Sequence, residues 1–302
     1  MKAPKHLSIL SLAVVGAVCG AVPAWASPIL GSDLATFTVL GASTVTNVST
    51  STIVGNVGVW SSGGANAITG FNSSPGVAVS DPQVTGGTVQ AGTALAQSAQ
   101  GQLTVAITNL GSLGPGTTLP SDLSLAGTLS PGVYSVPYGT TNLSGVLTLN
   151  GQGNANAAWV FQMASSLITS PNSVVNVINT GSGAGVYWNV ASSATIDTNT
   201  TFLGNILALT SISMNATATD LCGRALASTG AVTLIQNQLS GTCTGTLSNS
   251  GGLSGGLNVT SSEVSFLPYA PVNGGHAVPE PATLALLGLG FVSLGFIRRW
   301  RG

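Results

Sequence analysis

Between Ser27 and Leu247 the chain has no lysine, no histidine and a single arginine, Arg224. The acids of that stretch are Asp33, Asp81, Asp122, Asp197 and Asp220, with Glu263 further on. Without an imidazole there is no Ser-His-Asp or Cys-His nucleophile, and no zinc centre built on histidine. No metal or other cofactor is expected. Without lysine there is no P-loop of the usual kind, and without a basic patch no electrostatic grip on nucleic acid. Charged residues are 4% of the chain and hydrophobic residues 44%. That balance is not a disorder signature. Such a chain buries its Val, Leu and Ile and covers itself with neutral hydroxyls and amides.

Cysteine is scarce as well. Cys19 lies in an N-terminal apolar stretch, which leaves Cys222 and Cys243 for the rest of the chain. Two thiols at this separation in an exported protein are expected to pair. The closed loop stabilises by about 3 kcal/mol in the chain-entropy model. Buried free thiols are the alternative.

The two ends of the chain carry addresses. Lys2 and Lys5 precede the apolar stretch Leu7 to Val22, and Ala24-Trp25-Ala26 precedes Ser27. This is the layout of a secretory signal peptide, residues 1–26. At the other end Val278-Pro279-Glu280-Pro281 is followed by an apolar run, 282–297, and then by Arg298, Arg299 and Arg301. The prolines keep the motif extended, and the arginines hold the end of the run on the cytoplasmic side. The apolar run is shorter than the roughly 20 residues of a usual spanning helix. The segment 278–302 resembles the PEP-CTERM sorting tail, which implies processing by an exosortase-type membrane enzyme. The working protein is then residues 27–277, exported to the cell surface or beyond.

Within that body, short strand-like bursts bounded by Gly, Ser or Asn dominate. Examples are Phe37-Thr38-Val39-Leu40, Gly145 to Leu149, Ala158 to Met163, Val186 to Val190 and Thr201 to Leu209. From Val89 to Leu110 the period changes. Leu95, Ala99, Leu103, Ala106, Ile107 and Leu110 share one face of a helix, and Gly111 stands where a C-cap belongs. Strands with Gly or Asn corners and no strict repeat suggest an irregular coil of strands over 27–247. A β-sandwich also has many short strands, but it seldom accommodates a long amphipathic helix. Residues 248–277, rich in Ser, Gly and then Pro, are expected to grade into a linker.

In this order the segments resemble the ice-binding-like family. The N-terminal block Leu34 to Gly41, Val45-Thr46-Asn47 and Ile53 to Val59 is similar to it. So are Leu129-Ser130-Pro131-Gly132-Val133-Tyr134, Gly145 to Gln162, Val186 to Ala194, Phe202 to Ile212, and Gly223-Arg224-Ala225-Leu226-Ala227 with Gly230 to Leu234. The resemblance implies a mainly β fold, a right-handed β-solenoid of triangular section with one long helix alongside. It gives Arg224 a structural role. It implies adsorption to an ice surface through a flat Thr/Ser-rich face, with Thr195, Thr198, Thr200, Ser211, Ser213, Asn215, Thr217, Thr219 and Thr233 as candidates. Stiff threonine rotamers at strand spacing suit that task. Two rival readings remain. The sorting tail favours a structural or adhesive matrix protein with an exopolysaccharide partner. An enzyme acting on polysaccharide would need a pair of carboxylates, and Asp197 with Asp220 is the pair on offer.

Overall fold

A computed structural model describes residues 28–272 apart from 49, 62–66, 249 and 261–262. The expected signal peptide and the sorting tail, with Val278, Pro279, Glu280 and Pro281, lie outside the described residues. The strands wind into a β-solenoid. One coil runs through Ala158–Met163, Leu167–Thr169 and Val174–Thr180, and Gly185–Val190 then begins the next. The pairs Trp159↔Val186, Tyr187↔Asn205 and Ile206↔Ala225 mark successive coils of unequal length, all parallel. Unequal turns explain why no strict sequence period exists.

The section is triangular because each coil makes three sides. The first and third sides belong to one 16-stranded sheet that bends along a vertex. The long strands Thr201–Ala208 and Thr219–Ala227 pass through that vertex with a register shift between Phe202 and Gly204. The second side is a separate sheet of seven strands. The inward residues form one core, with Leu143, Leu147, Ile196, Ile212, Met214 and Val232 all buried. Rings stack up its axis: Tyr134 on Phe161 at 5.7 Å, Phe161 on Trp188 at 4.2 Å, and Trp188 on Phe202 at 4.9 Å.

Chain order and spatial order differ. Phe37–Gly41 pairs with Thr219–Ala227, Thr44–Asn47 with Val232–Leu234, and Thr52–Val54 with Gln238–Ser240. The first coil in sequence therefore stacks on the last. Helix α1 (Ala94–Ser112) carries the chain back to the far end of the solenoid. Its 19 residues span about 28 Å. The strands from Val89–Ala91 to Ala158–Met163 are six steps apart on the covered side, which is about 29 Å. The helix is thus as long as the surface it must cover. Thr93 caps it by accepting from the Ala96 N–H at 3.2 Å.

The buried helix face is Ala96, Ala99, Gln100, Leu103, Ala106 and Leu110. It packs on Leu40, Val160, Tyr187, Leu207 and Leu226 of the first side. Two details depart from expectation. Val89–Ala91 is a strand, because its backbone pairs with Asn56–Val59. Gly111 lies inside the helix, and the left-handed residue beyond the Leu113 C-cap is Gly114, at φ +76°.

Cys222 and Cys243 are bridged, with Cα atoms 4.5 Å apart. The expected linker is different from a free segment as far as Val272. Leu257–Val259 and Val264–Phe266 form a hairpin against the helix. The flanking residues lie along the vertex between the first and third sides. There Val186 N–H donates to the Leu253 carbonyl at 2.9 Å, and Val272 N–H to the Gly153 carbonyl at 3.0 Å.

Candidate ice-binding face

The first side is covered by the helix, which leaves two sides open. On the seven-stranded sheet outward residues alternate with buried ones: Leu143 and Thr141 flank Asn142, Val232 and Leu234 flank Thr233, and in Ala67–Thr69 the buried Ile68 precedes the exposed Thr69. Parallel pairing with no break in register puts these outward residues in one rank. In spatial order it is Asn142, Ile168, Thr195, Ser213, Thr233, Thr46 and Thr69. The last five are hydroxyl side chains in succession, about 4.8 Å from strand to strand. Thr44 beside Ala67 adds small residues one step along the strand. The rank contains no charge.

The third side is less regular. Its rank is Val146, Val174, Thr201, Thr219, Gln238 and Thr52. The register shifts between Asn150 and Asn154 and again between Phe202 and Gly204. Ile178 and Leu221 stand exposed on it.

The sequence candidates divide among these places. Thr195, Ser213 and Thr233 are in the central rank. Ser211 sits just before its strand, where its Oγ accepts from the Ala231 N–H at 3.1 Å. Asn215 is at the rim and donates to Asp197 at 2.8 Å. Thr219 belongs to the third side. Thr198 and Thr217 belong to the corner between the two open sides. Thr200 is fully buried and shares a hydrogen bond with Thr169 Oγ1 at 3.1 Å, so it is interior and not part of any face.

That corner is a ladder of left-handed residues: Asn172, Asn199, Thr217 and Gln236, with φ between 53° and 64°. Asn199 donates to Asn172, and Thr217 Oγ1 donates to Asn199 Oδ1. Asparagine tolerates this conformation and threonine rarely does, which is why a motif of threonines near residue 217 misleads.

The rank also has two hydroxyl members outside the sequence candidates. Thr46 and Thr69 come from the N-terminal coil, which the topology sets beside Val232–Leu234. The alternation Thr44-Val45-Thr46 was the available signal.

The carboxylates do not form a surface pair. Asp197 lies at the rim of the sheet, where the Asn215 amide and the Thr198 N–H hold its carboxyl below the usual range. Asp220 is fully buried inside the solenoid. Burial pushes its carboxyl well above the usual range, against the opposing pull of the Cys222 N–H and the Arg224 guanidinium. Arg224 is 2% exposed. Burial brings it down to about 10. It donates to Asn205 Oδ1 at 2.8 Å and to the carbonyls of Ala35 at 2.7 Å, Gly252 at 3.3 Å and Gly241 at 3.3 Å. Its role is to tie the first coil, the last coil and the C-terminal segment together. Among the described residues no group of His, Cys, Asp or Glu is placed to hold a metal ion.

A helix-braced solenoid with one regular, uncharged, hydroxyl-bearing side has the build of a surface-adsorbing protein. The comparisons agree with that class. The chain belongs to the Ice-binding-like family, whose model matches residues 39–240. The PEP-CTERM protein-sorting motif matches residues 277–301. An ice-binding protein of Nostoc sp. (strain HG1) is 39% identical over 88% of this chain and 84% of its own length. One from Flammulina populicola is 30% identical over 74% of this chain and 93% of its own. Among solved structures, the domain of ice-binding protein 1 from Shewanella frigidimarina superposes with a TM-score of 0.62 at 28% identity. It covers 71% of this chain and 97% of that one.

Proposed function

We propose that the protein is exported and adsorbs to ice without turnover, through the seven-stranded side. The observation that carries the reading is the unbroken rank Thr195, Ser213, Thr233, Thr46 and Thr69. Strand pairing fixes the spacing of the hydroxyls, and β-branching fixes most of their rotamers. The methyl groups exclude bulk water while the hydroxyls hold a layer that merges with the lattice. Adsorbed copies pin the growth front and restrict crystal growth and recrystallisation. Family membership and the named relatives support the same reading. The sorting motif supports export followed by exosortase-type processing of the tail.

The test is partition of the purified chain, residues 28–272, into slowly grown ice, together with grain size after annealing. Enrichment in the ice and smaller grains are expected. Exclusion from the ice with no effect on grain size defeats the proposal.

A further inference from the structure

The hydroxyl rank stops at Ile168. The strand Leu167–Thr169 stands second on the seven-stranded side, between Thr141–Leu143 at the edge and Ala194–Ile196. Its outward residue, Ile168, is 42% exposed between buried Leu167 and Thr169. Ile168 pairs in register with Asn142 on one side and with Thr195 on the other. The backbone therefore carries the rank on to the edge, and a side chain ends it.

Isoleucine and threonine are both β-branched and both hold χ1 stiffly. Isoleucine has an ethyl branch where threonine has its hydroxyl. It offers a lattice neither donor nor acceptor, and it stands higher by one carbon. The rest of the side is level. A second rank runs beside the first through Ser166, Ser193, Ser211, Ala231, Thr44 and Ala67, all part-exposed. Its ladder is continuous, with Leu167 N–H donating to the Ser193 carbonyl at 3.1 Å, Ala194 N–H to Ser211 at 2.9 Å and Ile212 N–H to Ala231 at 2.9 Å. No member of that second rank is larger than threonine. Beyond Ile168 the exposed Asn142 has an amide that can donate and accept, but Ile168 separates it from the five hydroxyls.

We propose that Ile168 sets the limit of the adsorbing rank and so decides how long a run of lattice the side can match. The contact then covers five of the seven strands, about 19 Å of about 29 Å along the solenoid. It is displaced toward the coil that carries Thr46 and Thr69, and Asn142 belongs to the side but not to the contact. This rests on the ice-adsorbing reading of that side.

The test compares the unaltered chain with Ile168→Thr, Asn142→Ala and the two together, by partition into slowly grown ice and by thermal hysteresis at equal concentration. A melting curve accompanies each. Ile168→Thr adds a hydroxyl in register and levels the way to Asn142. The adsorption equilibrium is expected to rise about two- to tenfold, the equivalent of one net hydrogen bond or more. Asn142→Ala alone is expected to change nothing. In the Ile168→Thr background it is expected to remove part of the gain, a non-additivity that two independent effects on stability would not give. Unchanged or weaker adsorption by Ile168→Thr, with an unaltered melting curve, overturns the proposal. So does a loss from Asn142→Ala alone, which would put Asn142 on the ice already, and that measurement decides the matter if Ile168→Thr melts early. If the unaltered chain enters ice and Ile168→Thr gains nothing, only the limit at Ile168 falls. If both are excluded from ice, the adsorbing reading falls with it.

Discussion

Thr233→Tyr is the sharpest perturbation of the face. Thr233 is the middle of the five hydroxyls, with Ser213 on one side and Thr46 on the other. Its side chain points outward between buried Val232 and Leu234, so a tyrosine there meets solvent and not the core. The phenol rises above the rank by more than the roughly 2.8 Å between hydrogen-bonded oxygens. One ordered water layer can no longer run across it. The rank is cut into Thr195 with Ser213 and Thr46 with Thr69, and only one fragment can lie flat on a lattice plane. Three of the five hydroxyls are then lost to adsorption. At about 0.5–1.5 kcal/mol for each net hydrogen bond, the loss is about 1.5–4.5 kcal/mol. That corresponds to about 10- to 1000-fold in the adsorption equilibrium. Thermal hysteresis at fixed concentration reads it, beside a melting curve that should match the unaltered chain. Thr201→Tyr on the third side is the control and should keep activity. If Thr233→Tyr keeps full activity and Thr201→Tyr loses it, the assignment of the face is wrong.

Four further outcomes follow from the same geometry. The Asp220 carboxyl is raised by burial above its ordinary value of 3.8, so the folded state holds a proton that the unfolded state has released. The stabilisation is complete below the ordinary value and is lost as pH rises through the folded one. Asp220→Asn should flatten that decline in a series of denaturant midpoints, and a parallel profile would refute it. Reducing Cys222–Cys243 should lower stability by about 3 kcal/mol, read as a lower denaturant midpoint with a steeper slope, because the reduced unfolded chain is less compact. Arg224→Ala takes the Arg224 donor from Asn205 Oδ1 and from the Ala35 and Gly241 carbonyls and should cost at least about 3 kcal/mol, at about 1 kcal/mol or more for each buried group left unsatisfied. Hydrogen exchange should show the loss of protection first in residues 250–259, and uniform loss would argue against a clasp. Thr217→Asn should stabilise by up to about 1 kcal/mol, because asparagine accepts the left-handed backbone more readily than a β-branched residue. An unchanged melting temperature would count against strain at that corner.

The fold was legible because composition left few alternatives. A chain with almost no charge and Gly or Asn at many corners can be satisfied by stacked coils, and the period change from Val89 onward marks the long helix, which begins five residues later at Ala94. The helix ends were less legible. Gly111 looked like a stop, yet nothing lies within 4 Å of the place where its Cβ would be, and the helix runs on to Ser112, with Gly114 as the left-handed residue beyond its C-cap. The C-terminal segment was opaque for another reason. Its Ser, Gly and Pro content reads as a linker, and only the seat formed by Asn205, Arg224 and Tyr187, which donate to the carbonyls of Gly252, Leu253 and Gly255, shows that small residues are needed there for close backbone approach.

The open hydroxyl rank was half legible, and the reason is topological. Local sequence shows which residues alternate but not which strand lies beside which. Thr195, Ser213 and Thr233 follow one another in chain order and in space, so they could be grouped. Thr46 and Thr69 are distant in the chain and adjacent in the sheet, because the first coil stacks on the last. Thr198, Thr200 and Thr217 look equivalent to them in the sequence, but the corner rotates the chain between two sides. One of the three turns inward to Thr169 and another takes a left-handed backbone. A rank of hydroxyls is therefore a property of strand register, and counting threonines in a segment cannot recover it. Thr46→Tyr makes the point testable: it lies far in the chain from Thr195, Ser213 and Thr233, and it should weaken adsorption about as much as Ser213→Tyr does.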